Sequence, residues 1–327
     1  MKILLLNVDS RWNMAIRRLH TWHTRRGDDV EMRDLGLKGY PHKRFLTIDA
    51  AGFDKVYVSN IFEQNADRVE VANCDWVVYG GIGSRDPDRK LPACVEACPP
   101  YYAPGEKISY GFITRGCIRK CWFCKVPKHE GKLKDYNSIE SIVRGVPGER
   151  VKFLDNNILA YPEHMSIFKW LIEHNTRCDF NQGLDFRLVN EENLDALARL
   201  NYAGEYIFAF DDPKYQPLLE KKLALIKKYI PEPWKLKFYI YYHPSMDMRQ
   251  LYDRVEWCRR NECLPYVMRD SACWECEHRD FIIDYASYCN NPGCFKKMTF
   301  YEFLDRRGMS EKRRQRSKEI YEKEVTS

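Results

Sequence analysis

The chain has 327 residues, 44% of them hydrophobic, with 53 Lys or Arg against 47 Asp or Glu and a formal net charge of +6. That length fits about two domains of ~100–200 residues with an appendage. No apolar run approaches the ~18 residues of a membrane span, and MKILLLNVDSRW turns polar too soon for a secretory signal, so a cytoplasmic protein is expected.

Thirteen cysteines, an odd number spread unevenly, speak against a secreted disulfide framework and for metal ligands and reduced thiols, with oxygen sensitivity as the consequence. MKILLLNV reads as a buried strand, residues 11–26 as a basic segment with apolar positions near helical spacing, and Gly27 as its stop. DDVEMRDL, DKVYVSNIF and CDWVVYGG read as further strands. Residues 1–95 are therefore expected to form a small Rossmann-like, doubly wound α/β domain with its ligand site at the carboxyl ends of the strands. His20 and His23, three apart on the first helix, read as a packed or solvated face. Residues 84–107 are rich in proline and charge, and the linker is set at 96–107. Cys94 and Cys98 read as an incidental helical pair.

The next stretch, ISYGFITRGCIRKCWFCKVPKHEG (108–131), holds Cys117, Cys121 and Cys124 in the spacing Cys-x3-Cys-x2-Cys, with Phe123 just before the last cysteine. A structural zinc or an ordinary four-cysteine iron–sulfur centre asks for four protein ligands, so three thiolates point to a metal centre with one ligand site open for chemistry. A loop of reduced thiols, or part of a zinc ribbon with its fourth ligand elsewhere, is the alternative. This motif after a strand-like run resembles the signature of the radical SAM enzymes. The resemblance implies that the three cysteines hold a [4Fe–4S] cluster whose fourth iron is chelated by S-adenosylmethionine (SAM). It further implies that the reduced cluster cleaves SAM to a 5′-deoxyadenosyl radical, with the protein positioning and shielding the reaction. A one-electron donor such as flavodoxin or ferredoxin is the implied partner.

Residues 1–95, with Gly80-Gly81 directly after the last strand, are similar to the cobalamin-binding domain that precedes the radical SAM core in one large subgroup. Members with a lower axial histidine carry Asp-x-His-x-x-Gly after the first strand. This chain has Asp9-Ser10-Arg11-Trp12-Asn13-Met14 there, and the bulky Arg11 and Trp12 mark the domain as degenerate.

Beyond the cysteines, strand and helix take turns. Helical NSIESIVRGV, PEHMSIFKWLIEH, NEENLDALARL, PLLEKKLALIKKYI and DMRQLYDRVEWCRRN alternate with strands VKFLDNN, DFNQGLDFRL, EYIFAFDD, LKFYIYY and LPYVMR. This pattern predicts a partial (β/α)6 barrel over 108–270 with its chemistry at the carboxyl ends of the strands. Asp155, Asn156 and Asn157 end the second strand, where the resemblance implies a group that binds the SAM amino group. Family members usually carry a Gly-Gly-Glu-like stretch there, but a carboxylate and amides also supply the acceptors an ammonium needs. A turn or N-cap role is the alternative.

Asn181, Gln182, Asp185 and Arg187 lie on the third strand and its exit, where the resemblance implies contacts to the SAM ribose and carboxylate. Alternation sets Asn181, Gly183 and Asp185 on one face, and a structural Asp185–Arg187 ion pair is equally open. Asp211 ends the fourth strand beside Asp212. It is the candidate catalytic group, because a carboxylate directed into a barrel is costly to bury without a partner or ligand; a cap ahead of Pro213 is its alternative. Tyr241 to His243 and Arg269 to Asp270 complete the rim.

Residues 271–327 read as a Cys-rich extension with a basic helical tail. Cys273-x2-Cys276-x12-Cys289-x4-Cys294 suits a structural zinc, an auxiliary iron–sulfur cluster, or four reduced thiols. Residues 306–327 carry eight Lys or Arg against four Glu, a composition that fits contact with nucleic acid or an acidic partner, with a solvated charged helix as the alternative. No Walker loop, Ser-His-Asp order or paired-carboxylate hydrolase pattern occurs. The expectation is a radical SAM enzyme acting on a nucleic acid, peptide or small molecule. The alternatives are a non-catalytic iron–sulfur or zinc protein that binds nucleic acid through its tail and, within the family, a cobalamin-dependent methyltransferase.

Overall fold

The computed structural model describes residues 1–10, 12–37 and 45–326, so Arg11, weighed above at a strand end, lies outside the described residues. The protein is a mixed α/β structure with parallel sheets, in two compact units, Met1–Glu106 and Lys107–Ser327.

The first unit opens with β1 (Lys2–Asn7), α1 (Met14–Arg25) and β2 (Asp29–Asp34). Then come β3 (Leu46–Asp49), β4 (Lys55–Ser59), β5 (Val69–Ala72), β6 (Val77–Gly80) and the single turn α2 (Ala93–Glu96). Four strands form a parallel sheet in the order β2-β1-β4-β6. β1 runs inside it because its residues are apolar on both faces. Ile3 and Leu5 pack with Ile16 and Leu19 of α1 and Val95 of α2, while Leu4 and Leu6 pack oppositely with Val56, Val58 and Val69.

The doubly wound expectation is corrected by that second face. Among the described residues it is covered by the parallel pair β3–β5, through Leu46, Ile48 and Val71, rather than by helices. The expected linker is also part of this unit. Arg17 Nη1 donates to Tyr101 O at 2.8 Å and pairs with Glu106 at 2.9 Å, and Tyr101 stacks on His20 with centroids 3.7 Å apart. His23 is packed, its ring nitrogens bonded to Asp28 and Tyr57.

The second unit holds β7 (Ile108–Gly111), β8 (Thr114–Arg115), α3 (Val126–His129), β9 (Lys134–Asp135) and β10 (Arg150–Phe153). There follow α4 (His164–Glu173), β11 (Cys178–Phe180), α5 (Glu191–Arg199), β12 (Tyr206–Ala209), α6 (Gln216–Tyr229) and β13 (Leu236–Tyr242). Next are α7 (Met248–Arg260), β14 (Leu264–Arg269), α8 (Arg279–Cys289), α9 (Pro292–Lys297), α10 (Phe300–Arg306) and α11 (Glu311–Ile320). Two three-stranded parallel sheets, β11-β10-β7 and β12-β13-β14, are linked by parallel bridges at Cys178↔Tyr202 and Leu184↔Phe208. The long strands thus neighbour one another in chain order. Their inward apolar residues, among them Val151, Phe153, Phe180, Phe208 and Phe238, form one core with Phe168, Leu194, Leu223 and Val255 of the helices.

Three expectations need correction here. The helix expected over 137–146 is only a 3-10 turn at Ile139–Ser141, because the carboxylate of Glu149 takes the amides of Arg144 and Gly145 at 3.1 and 2.7 Å and Gly145 sits at φ 69°. β11 stops at Phe180, since Gly183 at φ 95° turns the chain; residues 183–186 are then all buried and the strand alternation of 181–185 is lost. The Cys-rich extension is no separate module, because Phe281, Tyr285, Tyr288, Phe295 and Phe300 join the same core. Among the described residues no helix is long and apolar enough to cross a membrane.

Candidate functional site

The three motif cysteines sit on a loop closed at its neck. β8 and β9 pair antiparallel through Thr114↔Asp135 and Arg115↔Lys134, directly after the carboxyl end of β7. Gly116 lies at φ +80°, and a Cβ there would stand 2.2 Å from Lys132 O, so the neck admits only glycine. Glu130 laces the neck, accepting from Gly116 N at 2.9 Å, Arg115 Nη2 at 2.7 Å and Asn156 Nδ2 at 2.8 Å. The buried carboxylate of Asp155 accepts from the Ile113 amide at 3.2 Å, the Thr114 amide at 2.6 Å and the Thr114 hydroxyl at 2.8 Å. Burial pushes its carboxyl up to about 6 against those bonds. Asp155 and Asn156 therefore stand at the loop's base, with both Asp155 oxygens and Asn156 Nδ2 engaged by the chain.

All three thiols are half-buried. Cys117 N donates to Gly131 O at 3.2 Å, and Cys124 N donates to Cys121 O at 3.0 Å. Burial raises the Cys121 thiol, Arg187 draws it down, and the nearby charges of Asp211, Cys117 and Asp185 raise it again. Burial likewise raises Cys124, which feels Cys121, Cys117 and Asp211. One electrostatic neighbourhood thus contains the three cysteines, the exit of the third strand and the end of the fourth.

Within it Asp185 is buried and accepts from Arg187 Nε at 2.6 Å, Arg119 Nε at 2.8 Å and Asn157 Nδ2 at 3.3 Å. Burial opposes its ionisation, yet the two guanidinium groups outweigh burial and hold the carboxyl below its usual range. Asn157 Oδ1 is buried without a hydrogen-bond partner among the described residues. Arg119 was not singled out from the sequence, although its place between two motif cysteines was the available signal. Asn181 and Gln182 lie on the turn after β11: Asn181 Oδ1 accepts from Lys152 Nζ at 3.3 Å, and Gln182 is exposed.

Asp211 is half-buried and accepts from Tyr241 N at 3.0 Å; burial pushes its carboxyl up to about 6, countered by that amide and by Arg254 and Arg187. The cap ahead of Pro213 belongs to Asp212, whose Oδ1 accepts from Lys214 N at 3.0 Å. Beneath them Arg254 of α7, fully buried, donates Nη1 to Phe210 O at 3.1 Å, Asp211 O at 2.9 Å and Tyr241 O at 3.1 Å. It fastens the carboxyl ends of β12 and β13 together. Arg254 was also missed, although it falls in register with Leu251, Val255 and Cys258 on the buried face of its helix. Phe123 stacks on Tyr241 at 4.1 Å, and Tyr241 OH donates to Asp270 Oδ2 at 2.7 Å, which ties the cysteine loop to the ends of β13 and β14.

Comparison with protein-family models finds no match to this chain, and no curated protein matches it.

The C-terminal cysteines are free thiols, one of the three readings open for them. Cys273 is buried with Sγ directed to Tyr242 O at 3.6 Å, Cys276 Sγ turns to Cys273 O at 3.4 Å, and Cys289 is buried near Cys258. Among the described residues no group of three or more His, Cys, Asp or Glu side chains is arranged to hold a metal ion, the motif loop included. Ligands of a four-iron cluster each take a different iron and stand farther apart than the ligands of a single ion. The basic tail is largely neutralised in place. Arg313 and Arg307 pair with the buried Asp284 at 2.7 and 3.3 Å, and Lys318 and Arg314 with Asp305 at 2.7 and 3.9 Å. A cavity of about 670 Å³ bordered by Arg144, Glu149, Trp170 and Arg177 lies at the amino-terminal ends of β10 and β11, the opposite end from the cysteines.

The strand ends of the first unit are filled by their own side chains. Asn7 Nδ2 donates to Asp34 Oδ1 at 2.6 Å, Asn13 Nδ2 donates to Asn7 Oδ1 and Ser59 Oγ at 3.0 Å, and Asp9 takes the amides of Ile61 and Phe62. A Cβ on Gly81 would stand 2.2 Å from Asn60 O, so the backbones there already touch. These residues do not fit a corrinoid.

Proposed function

We propose that the protein is a radical SAM enzyme in which Cys117, Cys121 and Cys124 hold a [4Fe–4S] cluster and SAM completes it. The observation that carries this reading is the meeting of three half-buried thiols on one closed loop with Asp185, Arg187 and Asp211 from neighbouring strand ends. The chain-order succession of parallel strands from β7 to β14 supports reading the unit as a partial (β/α)6 barrel. The donor set fits the group: three soft thiolates rather than four, and a buried acceptor, Asn157 Oδ1, that lacks a donor among the described residues.

When bound, a cluster held by Cys117, Cys121 and Cys124 would supply the one electron for reductive cleavage of SAM. The chain's own part is positioning. Glu130, Asp155 and Asn156 fix the loop at its base, and Arg119 and Arg187 keep Asp185 ionised. Asn157 Oδ1 accepts from an ammonium or hydroxyl brought to it. The Phe123–Tyr241 stack excludes water along one side of the loop. Asp211, with its carboxyl near 6, exchanges a proton at its carboxylate oxygen close to neutral pH. A one-electron donor of the flavodoxin or ferredoxin class serves as reductant, and the cobalamin-dependent alternative is not carried forward.

The test is anaerobic reconstitution with iron and sulfide, followed by chromatographic assay of 5′-deoxyadenosine with SAM and dithionite. Cleavage is expected from the wild type and none from Cys121→Ala. A protein that assembles its cluster yet cleaves no SAM under any reductant overturns the proposal.

A further inference from the structure

The net charge of the whole chain is +6, and the loop from Arg115 to Lys134 alone carries seven Lys or Arg against one acid, Glu130. The rest of the molecule therefore sums to zero, the tail's own net +4 being offset by acids elsewhere, Asp284 and Asp305 among them. Two of the seven are consumed locally, Arg115 by Glu130 at 2.7 Å and Arg119 by Asp185 at 2.8 Å. Lys120, Lys128, Lys132 and Lys134 are exposed and make no ion pair among the described residues. A surface that concentrates unpaired ammonium groups on one short loop is held against self-repulsion, which an anionic partner relieves.

The same loop exposes two large apolar side chains, Ile118 at 49% and Trp122 at 67%. Trp122 meets Phe123, Tyr241 and His243 at interplanar angles of 89°, 83° and 77°, so among the described residues its ring has no parallel neighbour. The stack available to Phe123 is already used on Tyr241. Exposing an indole costs hydrophobic free energy unless a flat partner covers it, and a lysine-rich surface with a free aromatic face is what an unpaired base and its flanking phosphates fit.

We propose that the cysteine loop binds single-stranded nucleic acid, with phosphates over Lys120, Lys128, Lys132 and Lys134 and a base stacked on Trp122. This names the substrate class of the proposed enzyme and rests on that reading for its catalytic meaning, but not for the binding itself. The acidic surface of an electron-donor protein is the competing occupant. The absence of a stacking partner for Trp122 among the described residues favours the nucleic acid, because an acidic protein surface uses the lysines and leaves the ring without a planar mate.

The experiment is fluorescence anisotropy of labelled single-stranded RNA, single-stranded DNA and duplex of one sequence, with full-length reconstituted protein, across about 50 to 200 mM salt. Single strands are expected to bind more tightly than duplex, with RNA against DNA separating the two sources of the same chemistry. Neutralising Lys120, Lys128, Lys132 and Lys134 together is expected to flatten the log–log salt slope by about 3, since each single-strand phosphate contact contributes roughly 0.7. Trp122→Ala is expected to weaken binding roughly tenfold at an unchanged slope, and Trp122→Tyr to recover most of it. Far-UV circular dichroism verifies that each variant is folded.

An unchanged slope in the four-lysine variant overturns the proposal. So does a four-lysine variant that keeps its nucleic-acid affinity but loses reduction by flavodoxin, which assigns the patch to the electron donor. Binding without SAM cleavage sinks the enzymatic reading and leaves this surface standing; cleavage with dithionite but no binding does the reverse.

Discussion

Replacing Asp155 tests how the cysteine loop is held. Asp155→Ala removes the acceptor of two buried amides, Ile113 and Thr114, and of the Thr114 hydroxyl. A buried donor left unpaired costs about 1–3 kcal/mol and the hydroxyl can rotate away, so the two amides set an expected loss of about 2–6 kcal/mol. Asp155→Asn keeps one oxygen for Thr114, which donates twice to Oδ1, and turns an NH2 toward the Ile113 amide; about 1–3 kcal/mol is expected.

The pH dependence separates charge from shape. The folded carboxyl, near 6, lies above its ordinary 3.8, so in that window the folded chain keeps a proton that the unfolded chain has lost. Stability from this group is greatest below 3.8 and falls as pH rises through the folded value, by ~3 kcal/mol for about two pH units. The asparagine variant lacks this contribution. The wild-type advantage over it should therefore widen by ~3 kcal/mol as pH falls from above 6 to below 4, while the opposite contribution of Asp185 is common to both proteins. Anaerobic urea unfolding followed by tryptophan fluorescence measures both quantities. An alanine variant within about 1 kcal/mol of wild type, or a difference that does not change with pH, refutes the reasoning.

Other perturbations follow from the same geometry. Gly116→Ala forces a Cβ to 2.2 Å from Lys132 O at φ +80°, so a loss well above ~1 kcal/mol and reduced iron uptake on reconstitution are expected, read by urea unfolding and iron analysis. Arg254→Met takes the donor from three carbonyls and strips Asp211 of a neighbouring charge; ~3–5 kcal/mol of stability should go, and a loss below about 1 kcal/mol contradicts the role. A Cys273→Ser/Cys276→Ser variant should retain the iron content of wild type, because these thiols turn to backbone carbonyls in the core; loss of iron or zinc from the variant revives a second metal site. Hydroxocobalamin incubated with the protein should leave no corrinoid absorption after gel filtration, since the strand ends of the first unit are occupied by Asn7, Asn13, Ser59 and Asp9.

The sequence by itself determined the elements whose residues satisfy local rules without outside help. The unbroken Ile3–Leu6 run specifies a strand buried on both faces, and all four residues are 0% exposed. Helix α5 announces itself with Asn190 and Asn193, which form a capping box ahead of the apolar Leu194 and Leu197. The spacing of Cys117, Cys121 and Cys124 on one loop was likewise a local property, and so was the excess of charge around them, visible in the sequence although the tail drew attention first.

What only the tertiary structure decided depends on partners distant in the chain. Glu149 reaches back to take two amides and ends a helix before it forms, and β3 and β5 become strands because each supplies the other's hydrogen bonds. Asp155 became an anchor of the loop because Ile113 and Thr114 arrive from 42 and 41 residues away with buried donors to satisfy. Asp211 owes its raised carboxyl to burial, countered in part by Arg254 of α7, a charged residue at a position that periodicity reserves for apolar side chains. Periodicity tells which face of an element is inward; the burial and charge that tune a site arise only when several inward faces meet.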